Sequence, residues 1–296
     1  MTAGQMAHGS RKGSAYYRRK AFAGSRTVLI YALLIIITVF CVAPLAWIVK
    51  TSFESTQYIR NAQVQWIPIK ATLEHYVHVL TNPRAMMGRS FLNSLLVASS
   101  STLLSVTVTV LAGYALSRFK FRGKFFFSVY LILINMIPST LMLIALFIIL
   151  ARLHLLNNYL GLILIYASGG IPLATWMLKG YFDSIPIALE EAAMIDGCTQ
   201  GAAIRRIILP LALPGIVAVA MFNFMGNWNE FMMALTVMQK AELRTLPVQI
   251  LMFMGYQRVE WGPIMAYSVM VGLPVAFLFL YAQRHLVGGL TAGFGK

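Results

Sequence analysis

Residues 27–49 read TVLIYALLIIITVFCVAPLAWIV, 23 positions without one charged side chain. A membrane-spanning helix needs about 20 predominantly apolar residues, so this run can cross a bilayer once. It is too long for a signal-peptide core and no small-residue cleavage site follows it, so it reads as a retained span. Five more apolar runs follow, at about Leu92–Leu116, Phe125–Leu150, Leu160–Leu178, Leu211–Val237 and Pro263–Ala282. They are continuous and about twice as long as the roughly 10-residue alternating segments of a membrane barrel. The expected fold class is all-α, a polytopic membrane protein with six transmembrane helices.

Composition agrees. The 296 residues are 59% hydrophobic and 11% charged, against about 45–50% and about 25% in soluble domains. That excludes an ordinary soluble protein, and the hydrophobicity excludes disorder. The net charge is +15, from 24 Lys and Arg against 9 Asp and Glu. The cations flank the apolar runs and form no single block, so they fit cytoplasmic ends facing anionic lipid, and no nucleic-acid partner is expected. Cys41 and Cys198 are too isolated to predict a disulfide or a metal site.

Six spans place both termini on one side. The tail before Thr27 and the connection Arg118–Lys124 together carry ten Lys and Arg. The positive-inside rule puts both in the cytoplasm. The expected layout is a basic cytoplasmic tail at 1–26, a first helix at 27–49 and an extracytoplasmic loop at 50–90. A core of five helices follows at 91–285, with a cytoplasmic loop at 179–210, and then a cytoplasmic tail at 286–296. Gln63 and Glu242 are expected outside, and Arg122 and Gly197 inside.

The loop at 179–210 is the most informative polar segment. Asp183 or Ser184 suits a helix cap and Pro186 a first turn. Gly197 suits a left-handed exit, and Thr199 a cap for a second short helix ending before Pro210. Two short helices meeting at a glycine make a projecting elbow. Ala192 and Ala193 would keep its surface low, and Glu190, Glu191 and Asp196 would offer carboxylates to a partner.

Glu191-Ala192-Ala193, three residues, Gly197, nine residues, then Ile207-x-Leu209-Pro210 resembles the EAA signature of ABC-importer permeases. The fixed spacing and the place between the fourth and fifth runs give the match its structural context. Tyr114–Lys124, Trp228-Asn229-Glu230-Phe231, Arg244–Val248 and Gly289–Gly293 resemble segments of the carbohydrate-importer subfamily, most of all its smaller six-span permease of the maltose-transporter type. The tail before Thr27 is longer than usual there, and Gly293–Lys296 departs from the usual ending. The resemblance implies a type I permease architecture. It also implies that Glu190, Glu191, Ala192, Ala193, Asp196, Gly197, Ile207, Leu209 and Pro210 couple to an ATPase. The implied partners are a second, non-identical permease, two ATPase subunits and an extracytoplasmic solute-binding protein, and the implied cargo is a carbohydrate. Permeases for amino acids, phosphate or metals share the EAA signature, and a self-contained channel or secondary transporter would leave the elbow unexplained.

The residues themselves require such a partner. A Gly-x-x-x-x-Gly-Lys-Ser/Thr phosphate loop is missing, since Gly123-Lys124 has Arg118 where the first glycine belongs. No catalytic residue and no cofactor is expected on this chain, and ATP and Mg would sit on the ATPase. For the solute route, Asn223, Asn227 and Glu230 are spaced four and three apart, which predicts one helical face. Trp228 and Asn135 complete the candidate lining. Intramembrane amides fit substrate lining or interhelical glue equally, and Glu230 also fits the outer water interface. Tyr181 fits an interfacial belt.

Overall fold

The structure is a computed structural model describing residues 4–59, 65–255 and 259–292, with side chains described from Thr27 onward except at 282 and 284–292. Gln63 and Gly293–Lys296 lie outside the described residues. The elements are α1 (Gly4–Phe53), α2 (Thr56–Ile59), α3 (Glu74–Thr81), α4 (Met87–Arg118), α5 (Lys124–Ile134), α6 (Ser139–Arg152), α7 (Tyr159–Ser184), α8 (Ala188–Ile195) and α9 (Gln200–Ala203). A π turn, Ile204–Ile208, leads into α10 (Leu209–Asn229), followed by α11 (Met232–Val237), α12 (Leu246–Gln249) and α13 (Trp261–Ala292). Extended pairing among the described residues is limited to the isolated bridges Glu54–Ala71 and Met254–Val259. Five helices are long and apolar enough to cross a membrane, and α5 with α6 makes a sixth if that pair is one broken span.

The helices run past several boundaries drawn from composition. α1 passes without a break from the basic tail through Phe53, and α13 continues to Ala292. Charge marks where water begins, but a helix does not stop there, because its hydrogen bonds are internal.

Two expected spans are interrupted. The run Phe125–Leu150 splits into α5 and α6, bent by 96°. Pro138 is the cause. It has no N–H for the Ile134 carbonyl, and its ring crowds that carbonyl. Asn135 Nδ2 donates to the Leu131 carbonyl at 2.7 Å and repairs part of the break. The run Leu211–Val237 splits at Glu230, whose backbone is extended. Conversely, the helix expected to end before Pro210 continues through it. In the π turn the Leu209 N–H reaches back to the Ile204 carbonyl, which widens the helix just before Pro210, where no donor exists.

The core is a seam between α4, α7 and α10. α4 buries Ser90, Ser94, Ala98, Ser101, Ser105, Thr109 and Gly113 at helical spacing. Small residues let membrane helices approach closely, where dispersion and interhelical hydrogen bonds hold them. A Cβ on Gly113 would lie 3.3 Å from the Lys179 backbone nitrogen. At mid-seam, Asn223 Nδ2 donates to Ser105 Oγ at 2.9 Å. A Cβ on Gly170 of α7 would lie 2.9 Å from Asn223 Oδ1 and 3.1 Å from that same hydroxyl. Tyr181 belongs to this packing too: a Cβ on Gly215 of α10 would fall 2.5 Å from its ring.

On the side expected to be outside, the two polar loops close over the helix ends. Asn93 of α4 donates to the carbonyls of Glu242 and Arg244 at 2.9 and 3.0 Å and accepts from the Tyr159 hydroxyl at 2.7 Å. Ser94 Oγ accepts from Leu246 N at 2.8 Å, and Leu246 is fully buried. The Thr56 N–H and hydroxyl bind Glu74 at 2.8 and 3.0 Å and hold its carboxyl below the usual carboxylate range. By contrast α1, α5 and α6 leave most apolar side chains exposed, as suits helices that meet lipid or other membrane subunits.

Gly170→Val should overpack the seam and destabilise the helical core by about 1–3 kcal/mol. Denaturant titration in detergent, followed by helix content, measures this. Gly169→Val, whose Cβ would meet nothing within 4 Å, should be near neutral.

Candidate functional site

α8 and α9 form the elbow. α8 ends in a compact turn: the N–H groups of Asp196, Gly197 and Cys198 donate to the carbonyls of Ala192, Met194 and Ala193 at 2.9, 3.1 and 3.0 Å. Gly197 takes φ +88°, a left-handed conformation in which a β-branched residue is strained. Thr199 caps α9, accepting from Ala202 N at 3.3 Å. Asp183 and Ser184 are not caps. α7 runs through both, and the Asp183 carboxylate accepts from Ser117 Oγ and Lys179 Nζ, each at 2.6 Å.

The two adjacent glutamates of α8 point to different worlds. Glu191 is exposed, with Ala192 and Asp196 beside it. Glu190 is buried and is not offered to a partner, contrary to the sequence expectation. Its carboxylate is held by the Arg118 guanidinium and, at 2.8 Å, by the Tyr114 hydroxyl. The same guanidinium donates to the Ile185 carbonyl at 2.9 Å. Ala193, one helical turn from Glu190, is 4% exposed and faces inward with it. The outward face is therefore Glu191, Ala192 and Asp196 with Leu189, Met194 and Ile195, the last 86% exposed. Ile207 and Leu209 are half-buried and Pro210 is exposed, at the joint between elbow and α10.

From the sequence alone, Arg118 and Tyr114 carry no site role. The signal was present: two hydrogen-bonding groups four apart at a helix end share a face. Their partner, 72 or more residues away in sequence, was not legible.

The candidate solute-route residues do not converge. Asn223 and Asn227 share the face of α10 that meets α4, with Asn227 Nδ2 3.4 Å from Thr102 Oγ1. Trp228 is 1% exposed, stacks on Phe224 and donates its indole N–H to the Val271 carbonyl at 3.2 Å, so it is packing. Glu230 leaves the stripe because α10 ends before it. Its two oxygens accept from Met233 N and Ala234 N at 2.8 and 3.0 Å, capping α11, and from the Tyr166 hydroxyl. Asn135 lies at the α5–α6 break. Beside Asn227 and Thr102, a groove of about 480 Å³ opens between α4 and α10, lined by Leu95, Ser99, Met221, Phe224 and Leu278. Among the described residues, no group of three or more His, Cys, Asp or Glu is placed to hold a metal ion.

Residues 105–291 match the family described as the binding-protein-dependent transport system inner membrane component. The chain is 35% identical over 261 residues to the trehalose/maltose transport system permease protein of Thermococcus litoralis, covering 88% of this chain and 93% of that one. It is also 35% identical over 262 residues to the diacetylchitobiose uptake system permease protein of Streptomyces coelicolor, with 88% and 94% covered. The fold resembles a chain of a bacterial ABC transporter involved in the import of the acidic polysaccharide alginate, at TM-score 0.76 and 21% identity over 87% of this chain and 95% of that one.

Glu190→Ala should strand the buried Arg118 charge and cost about 3–5 kcal/mol of elbow stability. Glu191→Ala should change stability by no more than about 0.5 kcal/mol. Amide hydrogen exchange across residues 185–200 reports the difference directly.

Proposed function

The chain belongs to the family of binding-protein-dependent transport system inner membrane components, and we propose that it forms half of the translocation pathway of an ATP-driven carbohydrate importer. The observation that carries the coupling role is the outward face of α8. There Leu189, Met194 and Ile195 stand exposed beside Glu191 and Asp196, while Glu190 ties the same helix to the body. An apolar knob ringed by carboxylates on a short, tethered helix suits a cleft with an apolar floor and a basic rim, and the proposed owner of that cleft is the ATPase subunit.

Orientation follows from charge. With ten cations in the tail before Thr27 and in Arg118–Lys124, the elbow and both termini are cytoplasmic in this reading. The loops holding Glu74 and Glu242 then face the solute-binding protein. A second, non-identical permease completes the pathway, and two ATPase subunits supply ATP and Mg chemistry. Carbohydrate is the proposed cargo because the similar permeases carry saccharide names, trehalose/maltose and diacetylchitobiose among them. The groove is mostly apolar, with the Phe224 ring and the Ser99 and Thr102 hydroxyls in its wall, and Asn227 reaches it only through its bond to Thr102. Sugars present the matching hydroxyls and apolar ring faces, and weak, exchangeable hydrogen bonds permit passage without a trap. Asn223 has its amide committed to Ser105 and is assigned to holding helices together.

Gly197→Val and Glu191→Ala should insert normally yet reduce co-purification of the ATPase. The carboxylate change should weaken docking by about 1.5–3 kcal/mol, as for buried hydrogen bonds to a charged group. Pull-down of the ATPase with the tagged permease measures this, and full retention by both variants would remove the coupling role. In a background lacking Cys41 and Cys198, Gly197→Cys should resist an impermeant external thiol reagent and Glu242→Cys should react. Asn227→Ala should alter saccharide preference in an uptake assay while the assembly stays intact.

A further inference from the structure

α4 is gripped at both ends by the two regions that an importer has to keep in register. At the elbow end, Arg118 is the key group. Its guanidinium reaches two places at once: the Ile185 carbonyl, inside the Ile185–Ile187 link between α7 and α8, and the Glu190 carboxylate, within α8. One planar fork thus spans the Ile185–Ile187 joint between α7 and α8. Tyr114, one turn earlier, holds the other Glu190 oxygen at 2.8 Å. Ser117, between them, binds Asp183 at the end of α7 at 2.6 Å.

At the far end of the same helix, Arg89 Nε donates to the Glu242 carbonyl at 2.9 Å. Asn93 holds the Glu242 and Arg244 carbonyls, and Ser94 the Leu246 N–H. These are contacts to the backbone of the loop between α11 and α13, which is exposed at Glu242 and buried at Leu246. From Asn93 to Arg118 is about 37 Å along an α-helix at 1.5 Å per residue. Among the described membrane-spanning helices, α4 is also the one without a proline. α1, α7, α10 and α13 contain Pro44, Pro172, Pro214 and Pro274, and the α5–α6 run is broken at Pro138. α4 has 32 residues without a proline, and kinks arise mainly where proline interrupts the hydrogen-bond ladder.

We propose that α4 is a transmission rod joining the outer loop Glu242–Leu246 to the α8 elbow, with Arg118 and Asn93 as the positioning residues that clamp its two ends. A force on α8 then moves α4 and the outer loop together, and is not lost in a swing about Ile185–Ile187. Conversely, a partner that settles on the outer loop biases the angle of the elbow. Arg118 acts through Glu190. This rests on the importer reading above.

The test uses the complete assembly in lipid: this chain, its partner permease, the ATPase subunits and the saccharide-loaded solute-binding protein. The readout is the ratio of ATP hydrolysis with the binding protein to hydrolysis without it. Ordinary allosteric coupling is about 5–150-fold, so Arg118→Gln should lower that ratio at least about fivefold while all subunits remain bound. Arg118→Lys should also fail, because a single ammonium cannot bridge Ile185 and Glu190 as the fork does. Asn93→Ala should lower the ratio from the other end, and the double variant should be no worse than the worse single one. Tyr114→Phe removes one hydrogen bond and spares the ion pair, so it should give a partial loss and stays informative if Arg118→Gln does not assemble. A wild-type ratio in Tyr114→Phe and Arg118→Lys would overturn the rod, as would losses at Arg118 and Asn93 that multiply independently. If the wild-type assembly itself shows no stimulation by the binding protein, the importer reading fails along with it.

Discussion

A backbone N–H or C=O left bare in hydrocarbon costs several kcal/mol, and no water is there to pair with it. The apolar runs therefore fold as helices, and each interruption carries its own repair. Asn135 bonds the Leu131 carbonyl where α5 stops short of Pro138. Glu230 bonds two N–H groups at the start of α11 where α10 has ended. The π turn lets the helix pass Pro210. The polar residues at these breaks answer a local accounting of hydrogen bonds before they answer any solute.

The same constraint shapes the seam. Lipid tails are as apolar as leucine, so burying leucine gives little drive for helices to associate. α4 instead lines its inward face with serine, threonine, alanine and glycine. α7 and α10 come close enough for Gly170, Asn223 and Ser105 to meet. Asn223 is then the cross-link of a three-helix junction, and substitution of Gly170 would separate it from its partner.

The elbow divides its charges by direction. One residue along the helix, about 100° of rotation, separates Glu190, buried against Arg118 and Tyr114, from the exposed face carrying Glu191, Asp196 and Ile195. A buried ion pair is a poor source of net stability, because desolvation offsets most of the attraction. Its value here is geometric: a fork with two fixed acceptors sets the angle of α8 far more narrowly than apolar packing would. The docking role proposed for this face needs such a brace, since a freely hinged elbow would yield to a partner without moving the helices behind it.

The run at 27–49 and its five successors were enough to give an all-helical membrane chain, because transfer from water to lipid depends on composition summed over about 20 residues and is legible in one dimension. The EAA spacing, the left-handed Gly197 and the Thr199 cap were legible for the same reason, being local. Pro138 and Pro210 show where local reading stops: the same residue type broke one helix and was absorbed by another, depending on the turn before it. Whether Glu190 faced a partner or the body, and whether Glu230 lined a route or capped a helix, depended on Arg118, Tyr114 and Tyr166, which lie 64 to 76 residues away in the chain. A side chain's own spacing shows which face of a helix it occupies. What stands opposite that face is decided by how the helices pack, and that pairing exists only in three dimensions.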